Sequence, residues 1–251
     1  ILALSVSGAA ILLLWKENKG EVRKGDIEGG VAGSERSKLV MALQVLASDK
    51  KVLLLGCIQS LFEGAMYIFV FMWTPKLNRF YPDLPHGQVF GCFMACLMIG
   101  SASFPFLNSL RDKTAALLRD AILCGAVVLG IASLGFATGP VTAGCFFVFE
   151  VVCGLYFPGI GIVKSQYVSE EVRATIYNLF RIPLNLIVCI VLANIGSIPD
   201  DIIFGVCGIL LASAAILQHG FIILANMHEE SLLSGAANHV GSELSPYNDI
   251  L

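Results

Sequence analysis

Charged side chains are scarce in this chain. Asp, Glu, Lys and Arg make up 14% of its 251 residues, against about 25% in average globular proteins. Residues 121–163 contain a single charged side chain, Glu150. Because roughly 20 apolar residues cross a bilayer as a helix, this stretch is long enough for two crossings, and Thr138, Gly139 and Pro140 interrupt it near its middle. The sequence therefore predicts an all-α membrane protein, whose helices satisfy their own backbone inside the lipid.

Several other features are missing, and each absence excludes a class of function. There is no basic excess, since the net charge is −3, which argues against a nucleic-acid partner. No H-E-x-x-H, G-x-S-x-G or phosphate-binding pattern occurs, and the four histidines are scattered, so the sequence does not predict an enzyme. All eight cysteines fall in apolar segments, which favours small packing residues over disulfides, a metal site or a cofactor.

Turn signals divide the rest of the chain into predicted segments. Six crossings are predicted within a bundle over 51–225, at residues 52–74, 88–107, 120–137, 141–163, 176–196 and 202–225. Residues 1–15 are uncharged but too short to span, so we interpret them as the remnant of a preceding transmembrane helix and the chain as a fragment.

Two polar segments flank the predicted bundle. Residues 16–50 are rich in glycine and charge and predict a flexible linker. Within it, apolar residues recur at helical spacing over 38–48, as expected of an amphipathic helix at the membrane interface. Residues 226–251 are polar and predict a disordered tail.

The distribution of Lys and Arg predicts the orientation. With six crossings, 14 of these residues fall on one side of the membrane and only Lys76 and Arg79 on the other. Since cytoplasmic loops carry the excess of basic residues, we expect the linker and the C-terminal tail to be cytoplasmic.

Polar side chains at membrane depth form the candidate site. They occupy shared helix faces: Gln59, Glu63 and Tyr67 on the first crossing, Glu150 on the fourth, and Asn178, Arg181 and Asn185 on the fifth. A charge at the bilayer centre costs at least about 2.5–3.5 kcal/mol, so we expect these faces to meet in a common interior. Two other interpretations remain open: Arg181 reaches the headgroups, or the two acids only fix helix packing.

Several motifs together resemble one family. They are Phe62-Glu63, the run YIFVFMWTP at 67–75, Glu150 with CGLYFP at 153–158, and Asn178 with FRIPL at 180–184. In this combination the sequence is similar to the eukaryotic molybdate-anion transporters of the major facilitator superfamily. The resemblance implies a plasma-membrane carrier of twelve helices, of which this chain is the six-helix C-terminal half. The N-terminal half would be a missing partner, because substrates of this superfamily bind between the halves.

The resemblance also implies roles for the polar residues. Molybdate is a tetrahedral dianion, and the planar guanidinium of Arg181 can donate paired hydrogen bonds to two of its oxygens. Asn178 and Asn185 would be neutral donors, and Tyr67 and Gln59 would complete the substrate-binding set. For Glu63 and Glu150 the hypothesis is coupling or charge pairing, in which an acid orients Arg181 or carries a proton.

Two alternatives to molybdate uptake stay open from the sequence. The same fold could carry another small solute, such as sulfate, a sugar or an organic anion. The chain could also be a scaffold or receptor that transports nothing. That class predicts that the acids and Arg181 lie at separate helix contacts.

Overall fold

The structure is a computed structural model that describes residues 31–244, with side chains for residues 37–228 and 230. This part of the chain is helical, with seven helices: α1 (Val31–Ser48), α2 (Lys50–Asn78), α3 (His86–Ser109), α4 (Thr114–Ala132), α5 (Gly139–Tyr167), α6 (Glu170–Leu192) and α7 (Asp200–Leu244). The chain divides into two compact units, Ile1–Val40 and Met41–Leu251. Only the beginning of α1 is described in the first unit, and the second unit holds the helix bundle.

Six of the helices in the described range are long and apolar enough to cross a membrane, namely α2 to α6 and the segment Asp200–His228 of α7. This confirms the predicted all-α membrane protein with a six-helix half. The helix ends follow local chemistry. Asp49 caps α2 by accepting a hydrogen bond from the backbone N–H of Lys51 at 2.8 Å. Pro140 lies in the first turn of α5, where its missing N–H leaves no helical hydrogen bond unmade.

Helix α2 packs against α5, α6 and α7, while α5 also packs against α3 and α4. Aromatic side chains dominate the contact between α2 and α5. The ring of Phe69 meets those of Phe146 and Phe149 edge-on, at centroid distances of 5.0 and 4.9 Å. Such edge-to-face contacts add to the area that these large rings bury.

Helices α3 and α5 touch backbone to backbone where Gly100 meets Gly154. A Cβ on Gly154 would overlap the carbonyl oxygen of Leu97, and one on Gly100 would overlap that of Val151. Ser101 Oγ also donates to the carbonyl of Gly154 at 2.9 Å. Small residues allow this approach, which is a common device of membrane helices.

Charged groups mark the two ends of the bundle. The end at which α2 begins and α5 finishes is here named the basic end, and there Lys51 Nζ lies 5.3 Å from the ring centroid of Tyr167. At the opposite end, Lys76 and Arg79 form ion pairs with Asp200 and Asp201 at the start of α7. These pairs connect α2 to α7.

The segment predicted as a disordered tail, residues 226–251, overlaps the end of α7, which continues to Leu244. The extension contains good helix formers, including Glu230, Leu232 and Ala236, and it propagates from a helix that is already formed, so it needs no new nucleus. Residues 245–251 lie outside the described residues.

The predicted linker holds more helix than expected. Helix α1 begins at Val31, seven residues ahead of the helix expected over 38–48. Residues 16–30 of the linker, and the predicted helix remnant at 1–15, lie outside the described residues.

Candidate functional site

The polar face of α2 turns from the core towards the surface along its length. Gln59 is buried, Glu63 is half-buried and Tyr67 is 44% exposed. The three residues follow one another at four-residue spacing and so share a face, as predicted. By the helical rise, Gln59 lies about 12 Å along the axis from Lys51, which places this face well inside the apolar span.

Lys164 reaches this face from the last turns of α5. Its Nζ donates to Gln59 Oε1 at 3.1 Å and lies 4.2 Å from the ring centroid of Tyr177 on α6. The side chain is only 8% exposed. An amide oxygen and an aromatic face are both favourable partners for a buried ammonium group.

Arg181 and Glu63 complete the group. The Glu63 carboxylate lies beside Gln59 and within the electrostatic fields of Lys164 and Arg181, and the two cations act on each other as well. We name Gln59, Glu63, Lys164, Tyr177 and Arg181 the Lys164 cluster. It joins α2, α5 and α6 and holds two basic groups for one acid.

Close packing fixes α6 against α2 beside the Lys164 cluster. A Cβ on Gly56 would overlap the ring of Phe180. Ser60 Oγ lies 2.7 Å from the carbonyl oxygen of Gly56 and 3.0 Å from that of Phe180. Ser60 thus connects the backbones of α2 and α6 beside the Lys164 cluster.

Three predicted substrate-binding residues share one exposed side of α6. Asn178, Arg181 and Asn185 are all exposed in this bundle, and Phe180 and Leu184 on the neighbouring side are buried. Their spacing of three and four residues places them on one face of α6. Of the three, Arg181 joins the Lys164 cluster.

Glu150 lies apart from the Lys164 cluster, although we expected its face to meet the others. It is 14 residues before Lys164 on the same helix, which is about 21 Å along the axis. Its side chain is 6% exposed, and the neighbouring titratable groups are the thiols of Cys96 and Cys153. Glu150 thus lies close to the contact of α3 with α5.

A separate cavity of about 280 Å³ lies at the basic end, between α4, α5 and α7. Its walls combine polar side chains such as Lys113, Gln166 and Asn226 with apolar ones such as Phe221. Lys113 Nζ donates to Asn226 Oδ1 at 2.9 Å within it. No residue of the Lys164 cluster lines this cavity.

Comparison with known proteins identifies the family. A family model described as "Sugar-transporters, 12 TM" matches residues 1–155, which is more than half of the chain. The chain belongs to the molybdate-anion transporter family of the major facilitator superfamily. The molybdate-anion transporter of Takifugu rubripes is 32% identical over 241 residues, covering 84% of this chain and 48% of the fish protein. That of Danio rerio is 38% identical over 160 residues, covering 60% and 32%. The Xenopus tropicalis protein of the same name is 34% identical over 196 residues, covering 74% and 40%.

The family members differ from this chain in length. The chain spans about half the length of the Takifugu rubripes protein, and less of the other two. No solved structure matches the chain. The family members are named transporters, so membership agrees with the prediction that the chain is not an enzyme.

Proposed function

We propose that this chain forms one half of a carrier that moves molybdate, or a closely related tetrahedral oxyanion, across a membrane by alternating access. The observation that carries the proposal is the Lys164 cluster. A buried ammonium and a neighbouring guanidinium act electrostatically on a single carboxylate at membrane depth. Ions at such depth are retained where they serve a substrate pathway or pair with one another.

The charges of the Lys164 cluster favour an anion over a neutral solute. Lys164 and Arg181 contribute two positive charges and Glu63 one negative charge, so the empty cluster carries an excess of one positive charge. A bound dianion reverses that sign, and a proton taken up by Glu63 then makes the loaded site neutral. We therefore propose that Glu63 couples one proton to each dianion, because the loaded site must be moved without a net charge exposed to low dielectric.

A sugar carrier is the alternative that the description of the family model suggests. Neutral sugars are usually held by hydrogen-bonding amides, hydroxyls and aromatic faces in a largely apolar pocket. A neutral ligand would leave the excess positive charge of the Lys164 cluster unbalanced, whereas an anion would neutralise it. The basic excess of the Lys164 cluster therefore supports an oxyanion.

The proposed partner of this bundle is a second six-helix half. The side of α6 that carries Asn178, Arg181 and Asn185 is exposed in the bundle, and a guanidinium facing lipid costs at least about 2.5–3.5 kcal/mol. A second half packed against this side would replace lipid by a hydrated chamber, in which Tyr67 of α2 and the asparagines supply further hydrogen bonds. Rocking of the two halves would open the chamber to each side in turn.

The proposed orientation follows from the basic residues. We place the basic end in the cytoplasm because it holds most of the Lys and Arg residues. Lys164 and Arg181 would then lie on the cytoplasmic side of Glu150. The plasma membrane is the proposed location, on the strength of the resemblance alone.

Uptake of labelled molybdate by the full-length protein in proteoliposomes tests the proposal. We expect saturable uptake that unlabelled sulfate and tungstate inhibit and glucose does not. Arg181→Lys keeps the charge but removes the planar pair of donors, so it should lower uptake at low substrate at least about tenfold. Uptake of glucose in place of molybdate would contradict an oxyanion carrier, and normal uptake by Arg181→Lys would remove Arg181 from the site.

A further inference from the structure

The hydroxyl of Tyr156 on α5 is buried without a hydrogen-bond partner. The residue is 0% exposed, and among the described residues none pairs with its Oη. Tyrosine hydroxyls that are buried in this way normally find a partner. A phenylalanine would fill the same space without this defect, so the packing alone does not explain the hydroxyl.

Two neighbouring aromatic rings pack against the ring of Tyr156. It stacks on Phe62 of α2, with ring centroids 3.6 Å apart and an interplanar angle of 12°. The ring of Phe157 meets it edge-on at 5.7 Å. Phe62 is directly followed by Glu63, and the Glu63 carboxylate acts electrostatically on the Tyr156 hydroxyl. The stacking on Phe62 therefore holds the hydroxyl within the electrostatic field of Glu63, although the two groups are not hydrogen-bonded in the empty bundle.

The titratable and polar groups around Glu63 come from α2 itself and from the helices packed against it. They are Gln59 on α2 itself, Tyr156 and Lys164 on α5, and Arg181 on α6; on α7, Cys207 is directed instead to the carbonyl oxygen of Ala65 at 3.8 Å. Of these, Gln59 accepts from Lys164 through its Oε1 and also pairs with Glu63 through its side-chain amide. Tyr156 is the member of the set whose hydroxyl remains unengaged.

We propose that Tyr156 is a positioning residue for Glu63, which takes the Tyr156 hydroxyl as its partner when an oxyanion draws the two cations of the Lys164 cluster to itself. The inference rests on the proposed function of that cluster. A hydroxyl suits the task because it can donate to a carboxylate and accept from a carboxylic acid. It can therefore pair with Glu63 both before and after the acid takes up its proton.

The variant Tyr156→Phe tests this in the full-length protein. The empty protein has no hydrogen bond to lose at this position, so its melting temperature should not fall. The loaded state loses the hydrogen bond between the Tyr156 hydroxyl and the protonated Glu63, so the KM for molybdate should rise about fivefold while the maximal rate per molecule stays unchanged. The pH at which KM changes should also shift, because the partner of the titrating acid has been removed.

Tyr167→Phe is the matched control. The contacts of Tyr167 with Lys51 and Phe221 are made by its ring, which phenylalanine keeps, so this variant should behave like the wild type. Wild-type KM and pH profile in Tyr156→Phe would overturn the inference, as would a lower melting temperature and maximal rate at unchanged KM. Failure of the proposed function itself would be seen separately, as a wild-type protein that neither transports molybdate nor is stabilised by it against heat.

Discussion

The direction in which the Lys164 side chain extends cannot be predicted from the sequence pattern. Near the end of a transmembrane helix, a lysine can extend to the headgroups or turn back into the bundle. Its sequence position does not distinguish these, so the sequence alone predicts no role for Lys164 in the site. In the structure the side chain turns into the bundle, because α2 supplies the Gln59 amide oxygen and α6 supplies the ring of Tyr177 as partners. Arg181, in contrast, was predicted because it stands with two asparagines on one helix face.

Lys164→Gln should abolish concentrative uptake of molybdate by the full-length protein while leaving its amount at the membrane unchanged. The substitution removes one of the two positive charges that would hold the dianion, and its amide can still hydrogen-bond to Gln59. Uptake of labelled molybdate, normalised to surface protein, is the measurement.

Lys50→Gln serves as its control, because Lys50 lies exposed at the start of α2 and should tolerate the change. If Lys164→Gln transports at the wild-type rate, the ammonium group takes no part in substrate binding.

The separation of the two intramembrane acids predicts different pH behaviour for their variants. If Glu63 takes up a proton with each dianion, uptake by the full-length wild type increases as the pH falls on the side of substrate entry. Glu63→Gln should make uptake independent of that pH, since the amide cannot titrate. Glu150→Gln should keep the wild-type profile because Glu150 lies near the contact of α3 with α5 and away from the cations.

Uptake measured against external pH at fixed internal pH distinguishes the two variants. A flat profile in Glu150→Gln together with a wild-type profile in Glu63→Gln would reverse the assignment.

At the scale of the helix, the contact between α3 and α5 predicts that alanine destabilises the protein at Gly154 but not at Gly161. Gly154→Ala would force a Cβ against the carbonyl oxygen of Leu97, and rigid backbone cannot yield as a flexible side chain does. We expect a loss of about 1–3 kcal/mol in the free energy of unfolding, as for overpacked cores. Thermal unfolding in detergent, followed by a thiol-reactive dye or by circular dichroism, measures it.

Gly161→Ala on the same helix is the matched control. Nothing lies within 4 Å of a Cβ at Gly161, so alanine there should be neutral or stabilising through its better helix propensity. Equal behaviour of the two variants would show that α3 and α5 do not touch at Gly154.

Hydropathy predicts that the six transmembrane helices exist but predicts their ends less well. Helix α6 begins at Glu170, six residues before its predicted crossing, because a spanning helix continues into water while its hydrogen bonds remain favourable. The charged first turn, with Glu170 and Glu171, suits a helix N-terminus but contributes nothing to an apolar window. Helix α7 exceeds its prediction for a similar reason.

At the scale of the whole molecule, the ion pairs at the end opposite the basic end connect the first and last helices of the bundle. Lys76 is 2% exposed and lies 3.8 Å from an oxygen of Asp200, and it forms a closer pair with Asp201. Its Nζ also lies 5.7 Å from the ring centroid of Phe204. The Asp200 carboxylate raises the pKa of the neighbouring Arg79, which keeps this guanidinium charged.

Asp201→Asn should lower the stability of the bundle by about 1.5–3 kcal/mol, the usual contribution of hydrogen bonds to charged groups. The buried Lys76 would lose its closest acceptor charge and keep only the more distant Asp200. The melting temperature of the purified protein at low and at high salt measures the effect.

Asp83→Asn provides the comparison, since Asp83 is exposed in the loop before α3 and its variant should melt with the wild type. A melting temperature of Asp201→Asn equal to that of the wild type would mean that the pairs do not hold α2 and α7 together. The sequence did not predict these pairs, because Lys76 and Asp201 lie 125 residues apart and the bundle alone brings them together.

The connection between α5 and α6 consists of only two residues, Val168 and Ser169. Lys164 lies on the helix before this short connection and Arg181 on the helix after it, and both helices pack against α2. A rocking motion that leaves the bundle intact would thus carry the two cations as one body. An oxyanion seated between them would not need to be released and captured again during translocation. During such a cycle the side from which water reaches the bound oxyanion would alternate. The contacts of the oxyanion with Lys164 and Arg181 would stay the same.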